Sequence, residues 1–427
     1  MSAGEGSGGQ RIGPAEIRSL VIGASATIVT PLPQFLTGAM AVQMTSDLRF
    51  GAGLLGVAIA INRAGQGISS LFLGRLADQL GSTRALRLAM WISAITSLGI
   101  ATTARNFTSL AAWLFAASLA HALSQPASNR LLSRRVRPGR LGTAFGLKQS
   151  ATPMSTMLAG FAVPVFAVGV GWRWAFVATA VMALALVITL TRRLPALPVN
   201  GAAVQGGAEA PNPGGAVAPV RNERVRIPFS PFLLLTSVAF GLVLAGNVVV
   251  PSFYVGSAVE AGTRVEVAGF LLGAASVAAI VTRILSGLAC DHLIRRPLLL
   301  VAALVAFGGA GILLLATGEP RLMNIGVVMA VVGTWGFNAV FWYAIVRAYP
   351  QAPGSITGLL SPGGQAGATL GVLAFGFLVE RFGYGPSWTI AAGMAFASAV
   401  AMVAASMLLE RSPSATGLDE PEGETGP

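Results

Sequence analysis

Apolar runs long enough to cross a bilayer recur along almost the whole chain, in two groups of six. A spanning helix needs about 20 predominantly apolar residues, and the runs lack the strict alternation of a membrane barrel strand. We therefore predict an all-α membrane protein whose twelve transmembrane helices form two pseudo-symmetric six-helix bundles. The predicted spans, numbered 1 to 12 in chain order, lie at roughly 19–42, 51–73, 86–104, 108–131, 142–168, 172–191, 231–254, 265–288, 298–317, 322–347, 354–379 and 386–409.

Polar or Pro/Gly-rich segments flank and separate the two predicted bundles. The first residues are polar and glycine-rich, without the apolar core of a cleaved signal, so we expect span 1 itself to direct the chain to the membrane. The predicted organisation is a flexible N-terminus (1–18), a first bundle (19–193), a Pro/Gly-rich linker (194–229), a second bundle (230–409) and a disordered acidic tail (410–427).

The composition supports the membrane assignment. Apolar residues make up 54% of the chain and charged residues only 10%, whereas soluble domains carry about 25% charged residues. This composition excludes a water-soluble enzyme. The net charge of +12 does not indicate a nucleic-acid partner either, because so apolar a chain offers little solvent-exposed surface on which those charges could form a binding face.

The basic residues also predict the orientation. With the N-terminus in the cytoplasm, nineteen arginines fall in cytoplasmic segments and six in the opposite loops. Because cytoplasmic loops of membrane proteins are enriched in Lys and Arg, we predict a multi-pass protein of the inner (plasma) membrane with both termini in the cytoplasm.

The two halves resemble each other in sequence. Gly74–Asp78 follows span 2 and Gly287–Asp291 follows span 8, an offset of 287 − 74 = 213 residues, and the same offset relates Gln34 to Asn247. Chance similarity between Ala/Gly-rich segments is the alternative. The Ala/Gly-rich composition does not, however, explain an aspartate at the end of a spanning helix in both halves, so a repeat of six helices is favoured.

The segment after span 2 resembles the loop motif Gly-x-Leu-Ala-Asp-Arg-x-Gly-Arg-Arg of the major facilitator superfamily. This chain has Gly74, Asp78 and Gly81 in the same positions, but Gln79 replaces a basic residue and Arg84 is displaced. The resemblance covers nearly the whole chain and implies alternating access between two halves. It also implies that the motif residues Gly74, Asp78, Gly81, Arg84, Gly287 and Asp291 act in gating, with the loop joining span 2 to span 11. A simple helix cap with a charged turn is the alternative for this loop.

Polar side chains inside the predicted spans are unevenly distributed. Arg, Lys, His, Asn and Gln occur within the cores of spans 1, 2, 4, 5, 7, 8, 10 and 11 and not within those of spans 3, 6, 9 and 12. In the superfamily the first set lines the cavity and the second lies outside it. The candidate substrate-binding residues are therefore Arg63, Arg283, Gln34, Lys148, Gln149, Asn247, Asn338 and Gln365.

The embedded charges indicate an anionic substrate. Arg63, Lys148 and Arg283 lie within spans, whereas every Asp and Glu falls near a span end or in a loop. A cationic cavity without a carboxylate favours an organic anion, which an arginine can bind through two hydrogen bonds. The resemblance is nearest to the monocarboxylate, oxalate/formate or cyanate transporter branches, although the aspartate expected upstream of Arg283 is replaced by Ala279.

Each embedded charge has an alternative role. Arg283 can pair with Asp291, and Lys148 can extend towards the cytoplasmic interface. His121, the one mid-membrane group that titrates near neutral pH, is a possible proton-coupling residue or a helix-packing residue.

Prolines within the spans predict interruptions. Pro31 and Pro33 remove two backbone amides from span 1 and free carbonyl groups near mid-membrane. Pro153 in span 5 and Pro362 in span 11 allow bends that would suit gating.

Other functions find less support. The chain lacks a Walker motif and has too few His and Cys residues for a metal centre, so we expect no cofactor and no metal. The alternatives to an anion transporter are an efflux pump for drugs or metabolites and, with less support, a sensor with a transporter fold. The expected partners are a small-molecule substrate, the bilayer and a coupling proton or counter-anion, with no nucleic acid and a monomeric state.

Overall fold

A computed structural model describes residues 14–135, 148–167, 169–193, 230–292, 296–349 and 353–410, which are helical with short turns and contain no strand. The predicted linker (194–229) and most of the predicted flexible N-terminus and acidic tail lie outside these ranges. The helices are α1 (Pro14–Val29), α2 (Leu32–Ala39), α3 (Ala41–Leu48), α4 (Ala52–Leu80), α5 (Ser82–Thr103), α6 (Phe107–Arg135), α7 (Ala151–Ala162, continued by a π-turn Val163–Ala167), α8 (Arg173–Arg193), α9 (Pro231–Glu260), α10 (Val265–His292), α11 (Pro297–Leu315), α12 (Pro320–Ala348), α13 (Pro353–Phe382) and α14 (Tyr384–Glu410).

These helices supply the twelve predicted spans. Among the described residues, nine single helices are long and apolar enough to cross a membrane. The α1–α2 pair, bent by 44°, and the α3–α4 pair, bent by 109°, pass the same test, and Ala151–Ala167 is a shorter apolar helix in the place of span 5. Span 1 is thus α1 to α3, and α4 to α14 form spans 2 to 12. The prediction of an all-α, twelve-span fold is confirmed.

Because the number of spans is even, α1 begins and α14 ends on the same side of the membrane. We call this the inner side, which the arginine distribution predicts to be cytoplasmic, and the opposite side the outer side. Helix α1 begins at Pro14, a few residues before the predicted span, because proline suits the first turn of a helix.

The predicted interruption of span 1 is confirmed. Helix α1 ends at Val29 and α2 begins at Leu32, where Pro31 and Pro33 lack the amide hydrogens that would continue the α-helical pattern. Within α2, the hydroxyl of Thr37 donates to the carbonyl oxygen of Pro33, one turn earlier, at 2.7 Å. The resulting 44° bend turns α2 towards the second half of the protein.

The internal repeat extends to the turns between spans. Gly171, between spans 5 and 6, has φ +99°, and Gly383, between spans 11 and 12, has φ +78°. These residues are 383 − 171 = 212 positions apart, close to the offset of the loop motifs. Because L-residues rarely adopt this left-handed region, the shared turn conformation explains why both positions are glycine.

An ion-pair cluster ties together the outer ends of the first half. Arg173 Nη1 donates to Asp47 Oδ2 at 2.5 Å, and the same oxygen accepts from Trp172 Nε1 at 3.1 Å. Arg173 also donates to the carbonyl of Ala104 at 3.2 Å, which places one of the few outer arginines in a structural role.

The two halves meet closely at the outer side. A Cβ added at Gly56 of α4 would lie 2.7 Å from the carbonyl oxygen of Val372 on α13, and one at Gly38 of α2 would lie 2.6 Å from Cα of Ser252 on α9. Real Cβ atoms essentially never approach so near, so backbone contacts backbone at these points. Glycine is therefore required for the halves to close at the outer side.

The halves separate towards the inner side. Residues three or four apart share a face of a helix, and one such face of α4 carries Gly53, Gly56, Ala60, Arg63, Gly67, Ser70 and Gly74. Along it the residues change from buried at the outer end to half-buried or exposed at the inner end. A Cβ at Gly67 or Gly74 would meet nothing within 4 Å. Helix α4 therefore diverges from the second half in the described part of the chain, and we infer from this a cavity between the halves that opens to the inner side.

We expect Gly56→Leu to shift the protein towards an outward-open state, because the added side chain cannot fit beside Val372 when the outer side is closed. The separation of the halves is measured by double electron–electron resonance between spin labels on cysteines introduced at the outer residues Arg105 and Glu319, in a Cys290→Ser background. The distance should increase in Gly56→Leu. Gly67→Leu is the matched control and should leave the outer distance short; an equal increase in both variants would contradict this interpretation.

Candidate functional site

Arg63 lies on the face of α4 that turns from contact with the other half into the cavity. Its guanidinium carbon is 6.0 Å from the centroid of the Phe35 ring. It makes no hydrogen bond or ion pair with a described residue, and its Nε atom is buried without a partner. A cation inside a membrane protein needs a partner or water. The predicted cavity position of Arg63 thus leaves its charge available to a ligand.

An aromatic contact joins the two halves beside Arg63. The ring of Phe35, which α2 contributes from the first half, lies 6.1 Å from the Trp335 ring of α12 in the second half. The side-chain nitrogens of Gln34 and Trp335 are both buried and make no hydrogen bond within the described residues. Buried polar atoms normally have partners, so these two unpaired donors mark positions where a ligand can supply acceptor atoms.

Arg283 links α10 of the second half to span 5 of the first half. Its Nη1 atom donates to the carbonyl oxygen of Gln149 at 2.6 Å, and its side chain is 9% exposed. In an α-helix that carbonyl would accept from the amide four residues later, but Pro153 has no amide hydrogen. Arg283 therefore occupies the place of the missing donor. The side chain of Asp291, the alternative partner, lies outside the described residues.

Lys148 is held by other residues of the first half. Its Nζ atom donates to Gln125 Oε1 at 2.8 Å, to the Gln125 carbonyl oxygen at 3.4 Å, and to Asn129 Oδ1. The side chain is only 4% exposed. Lys148 does not extend to the interface in this arrangement, because its ammonium group is bound to acceptors on α6.

His121 continues the same chain of polar groups. Its Nε2 atom is 3.3 Å from Gln125 Nε2, and its Nδ1 atom is 3.0 Å from the hydroxyl of Thr30 on α1. The imidazole is 9% exposed. His121 therefore has partners on both ring nitrogens, as either a packing residue or a proton-coupling residue requires.

The other predicted substrate-binding residues are divided between structural contacts and open positions. Asn247 Nδ2 donates to the carbonyl oxygen of Thr334 at 2.5 Å, which ties α9 to α12 within the second half. Asn338 is half-buried, whereas Gln149 and Gln365 have exposed side chains. Gln365 precedes the outer contact residue Gly376 on α13 by 376 − 365 = 11 residues, about three helical turns. The two residues therefore share the face of α13 that lines the opening between the halves.

Sequence reasoning missed Phe35, which contacts both Arg63 and Trp335. Its position directly after Gln34 and two residues after Pro33 was the available signal, because a break in span 1 exposes the start of the following helix. Asn62, a polar residue of span 2, was not among the predicted site residues, and its amide donates to the carbonyl of Leu114 at 2.6 Å. This bond joins α4 to α6 and orients the neighbouring Arg63.

The loop motif forms an ion pair within the first half. Arg130 Nη1 donates to Asp78 Oδ1 at 2.9 Å and to the Asp78 carbonyl oxygen at 2.8 Å. Gly81 has φ +77°, which explains the second motif glycine, and Arg84 is exposed. A Cβ added at Gly74 would meet nothing within 4 Å, so Gly74 does not pack against a described residue of span 11 in this arrangement. Gly287 and Asp291 lie in the last turns of α10.

A separate apolar groove of about 430 Å³ lies between α9, α13 and α14. It is lined by residues such as Val238, Leu370 and Ile390, which are about half exposed. None of the predicted substrate-binding residues contributes to it. We therefore place the functional site at the cavity between the halves rather than in this groove.

Two six-helix halves around a cavity that opens to one side define the class of transporters that work by alternating access. The family model described as Major Facilitator Superfamily matches residues 23–371. The chain belongs to this superfamily, which identifies it as a multi-pass membrane transporter rather than an enzyme.

Solved structures share the fold. A bacterial homologue of the human lysosomal transporter Spinster, in an inward-facing and occupied conformation, aligns with a TM-score of 0.70 and 13% identity over 94% of this chain and 97% of that one. A mutant of the nucleoside transporter NupG aligns with a TM-score of 0.69 and 16% identity over 92% and 99%. No curated protein matches the sequence.

We expect Arg283→Gln and Pro153→Ala to be energetically coupled. Removing the guanidinium leaves the buried carbonyl of Gln149 without a donor, which costs about 1–3 kcal/mol. In the Pro153→Ala background the new amide satisfies that carbonyl, so Arg283→Gln should cost measurably less. Unfolding of the four proteins of this cycle in detergent measures the difference; equal costs of Arg283→Gln in both backgrounds would contradict the proposed pairing.

Proposed function

We propose that this transporter moves a small organic anion and that Arg63 is its principal charge partner. The observation that carries the proposal is the Arg63 guanidinium, which faces the cavity with no carboxylate or other acceptor among the described residues. Arginine remains charged even when it is buried. The anion of a substrate is the partner that this geometry suits, through the paired hydrogen bonds that a guanidinium makes with a carboxylate.

The neighbouring polar groups support the same polarity of substrate. Gln34 Nε2 and Trp335 Nε1 are donors without acceptors, and Arg283 has a buried, unpaired Nε atom. Carboxylate and phosphate groups offer acceptors and no donors. A donor-rich site next to the Phe35–Trp335 aromatic pair suits an anion that also has an apolar part.

In this proposal the predicted binding residues have different roles. Arg63 and Gln34 are the primary contacts, and Arg283 joins them when it exchanges the Gln149 carbonyl for the substrate. Gln149, Asn338 and Gln365 line the path to the inner side. Lys148 and Asn247, whose side-chain donors already have protein acceptors, support the site from behind.

The arginine distribution supports placement in the cell's inner membrane with both chain ends in the cytoplasm. In this orientation the cavity faces the cytoplasm. We propose that closure of the inner side and separation of the outer glycine contacts then expose Arg63 to the other side of the membrane. A monomer contains both halves of the site.

We expect Arg63→Gln to lower transport of every accepted anion by about 10- to 100-fold, because a hydrogen bond to a charged group contributes about 1.5–3 kcal/mol. The assay is counterflow in proteoliposomes at equal pH on both sides, with radiolabelled acetate, lactate, oxalate and benzoate as probes. Arg63→Lys keeps the charge but loses the paired hydrogen bonds, so its activity should be intermediate.

Arg192→Gln provides the matched control, since it removes an exposed arginine at the inner end of α8 and should leave counterflow unchanged. Unimpaired counterflow in Arg63→Gln would overturn the proposal. Transport of uncharged or cationic apolar compounds that does not depend on Arg63 would favour the efflux alternative instead.

A further inference from the structure

The polar chain of the first half fixes the protonation state of His121. Lysine has only donors, so the oxygen of the Gln125 amide must face Lys148, at 2.8 Å. The NH2 group of the same amide therefore points at His121 Nε2, 3.3 Å away. This nitrogen must accept the hydrogen bond, which means that it carries no proton in this arrangement.

The other ring nitrogen agrees with this assignment. Nδ1–H of the neutral imidazole donates to the hydroxyl of Thr30 at 3.0 Å, and that hydroxyl in turn donates to the carbonyl of Ala26 at 3.0 Å. Ser124 donates to the carbonyl of His121 at 3.1 Å. Each hydrogen bond from Lys148 through Gln125, His121 and Thr30 to Ala26 then joins one donor to one acceptor.

A proton on Nε2 is incompatible with this chain. The new N–H would face the NH2 group of Gln125, and rotating the amide to present its oxygen to His121 would turn the NH2 group towards Lys148. Two donors would then face each other at Lys148. Protonation of His121 and the bond between Lys148 and Gln125 Oε1 exclude each other, so taking up a proton releases part of the hold on Lys148.

The charges around His121 are all positive within the described membrane-spanning residues. Arg63 on α4 and Lys148 before α7 both act electrostatically on the imidazole. From α1 it faces the hydroxyl of Thr30, and α5 has its charged residues, Arg84 and Arg87, near its inner end. A proton on His121 thus adds a third positive charge, which an anion bound at Arg63 would offset.

We propose that His121 takes up a proton only together with the substrate anion, which makes the protein a proton–anion symporter. This inference rests on the proposed function of Arg63. Hydronium transfers its proton to His121 Nε2, leaving water; the Gln125 amide rotates, and Lys148 loses Gln125 Oε1 while it keeps Asn129 Oδ1 as an acceptor. Because linkage is reciprocal, the anion promotes protonation as much as the proton promotes anion binding.

The first test compares two assays in proteoliposomes, with a voltage clamp and with protein-free vesicles to subtract passive diffusion. Counterflow at equal pH measures anion transport alone, whereas uptake driven by a pH gradient measures coupling. For one proton with a monovalent anion such as lactate, accumulation should approach about tenfold per pH unit. Active counterflow without gradient-driven accumulation would overturn the symport and leave the proposed function intact.

The variant test uses His121→Asn. The asparagine amide can still donate to Thr30 but cannot take up a proton, so anion binding loses the contribution of the proton. We expect counterflow to persist at saturating anion with a raised KM, and no accumulation in response to the gradient. Thr30→Ser, which keeps the hydroxyl, is the matched control and should retain coupling. Accumulation that persists in His121→Asn would overturn the role of His121.

A measurement on the unaltered protein does not depend on how the variants fold. Proton uptake upon binding of lactate, measured in weakly buffered detergent solution with an indicator dye, should be about one proton per anion bound. Binding without proton uptake would overturn the inference, whereas the absence of lactate, acetate, oxalate and benzoate binding altogether would overturn the proposed function.

Discussion

The positive charge of Arg63, placed within the membrane without a protein carboxylate, is the constraint to which the site conforms. An arginine at the centre of a spanning helix costs about 2.5–3.5 kcal/mol on insertion scales. The protein offsets this cost by turning Arg63 towards the cavity between the halves rather than by pairing it. The unpaired nitrogens of Gln34, Arg283 and Trp335 are likewise hydrogen-bond donors without an acceptor. These groups form a donor-rich site that a bound anion completes.

The contacts around this site depend on atoms that glycine and proline lack. Glycines without Cβ atoms let the halves touch at the outer side, and Pro153, without an amide hydrogen, leaves a carbonyl that Arg283 of the opposite half occupies. The first type of contact requires close approach, so it is made or lost as a whole when the halves rock. The second is a single charged hydrogen bond, which a substrate anion can replace.

Patterns along the chain were sufficient to predict the fold and to select the polar residues that we propose for the site. Twelve apolar runs, the prolines of span 1 and the segregation of polar residues all depend on local sequence. Contacts between distant residues were not accessible in this way. The sequence shows that Lys148 is near a span end but not that Gln125 and Asn129 are within its reach, and it shows Arg283 but not its pairing with a carbonyl across the two halves.

The repeat explains part of this difference. Its offset of 213 residues relates Gln34 to Asn247 and His121 to Thr334, since 334 − 121 = 213. In the second half Asn247 is bound to the Thr334 carbonyl, whereas in the first half the equivalent Gln34 nitrogen is unpaired. At equivalent positions of the repeat, the side-chain amide thus has a protein acceptor in the second half and is left available to a ligand in the first half.

The most direct test of the central claim is a crystal structure with 4-bromobenzoate, an unreactive carboxylate whose bromine can be located by anomalous scattering. The account predicts a bromine peak in the cavity between the halves, with the carboxylate about 2.8 Å from the guanidinium nitrogens of Arg63, and no peak there in Arg63→Gln. A carboxylate bound elsewhere in the cavity, or an unchanged peak in Arg63→Gln, would contradict it.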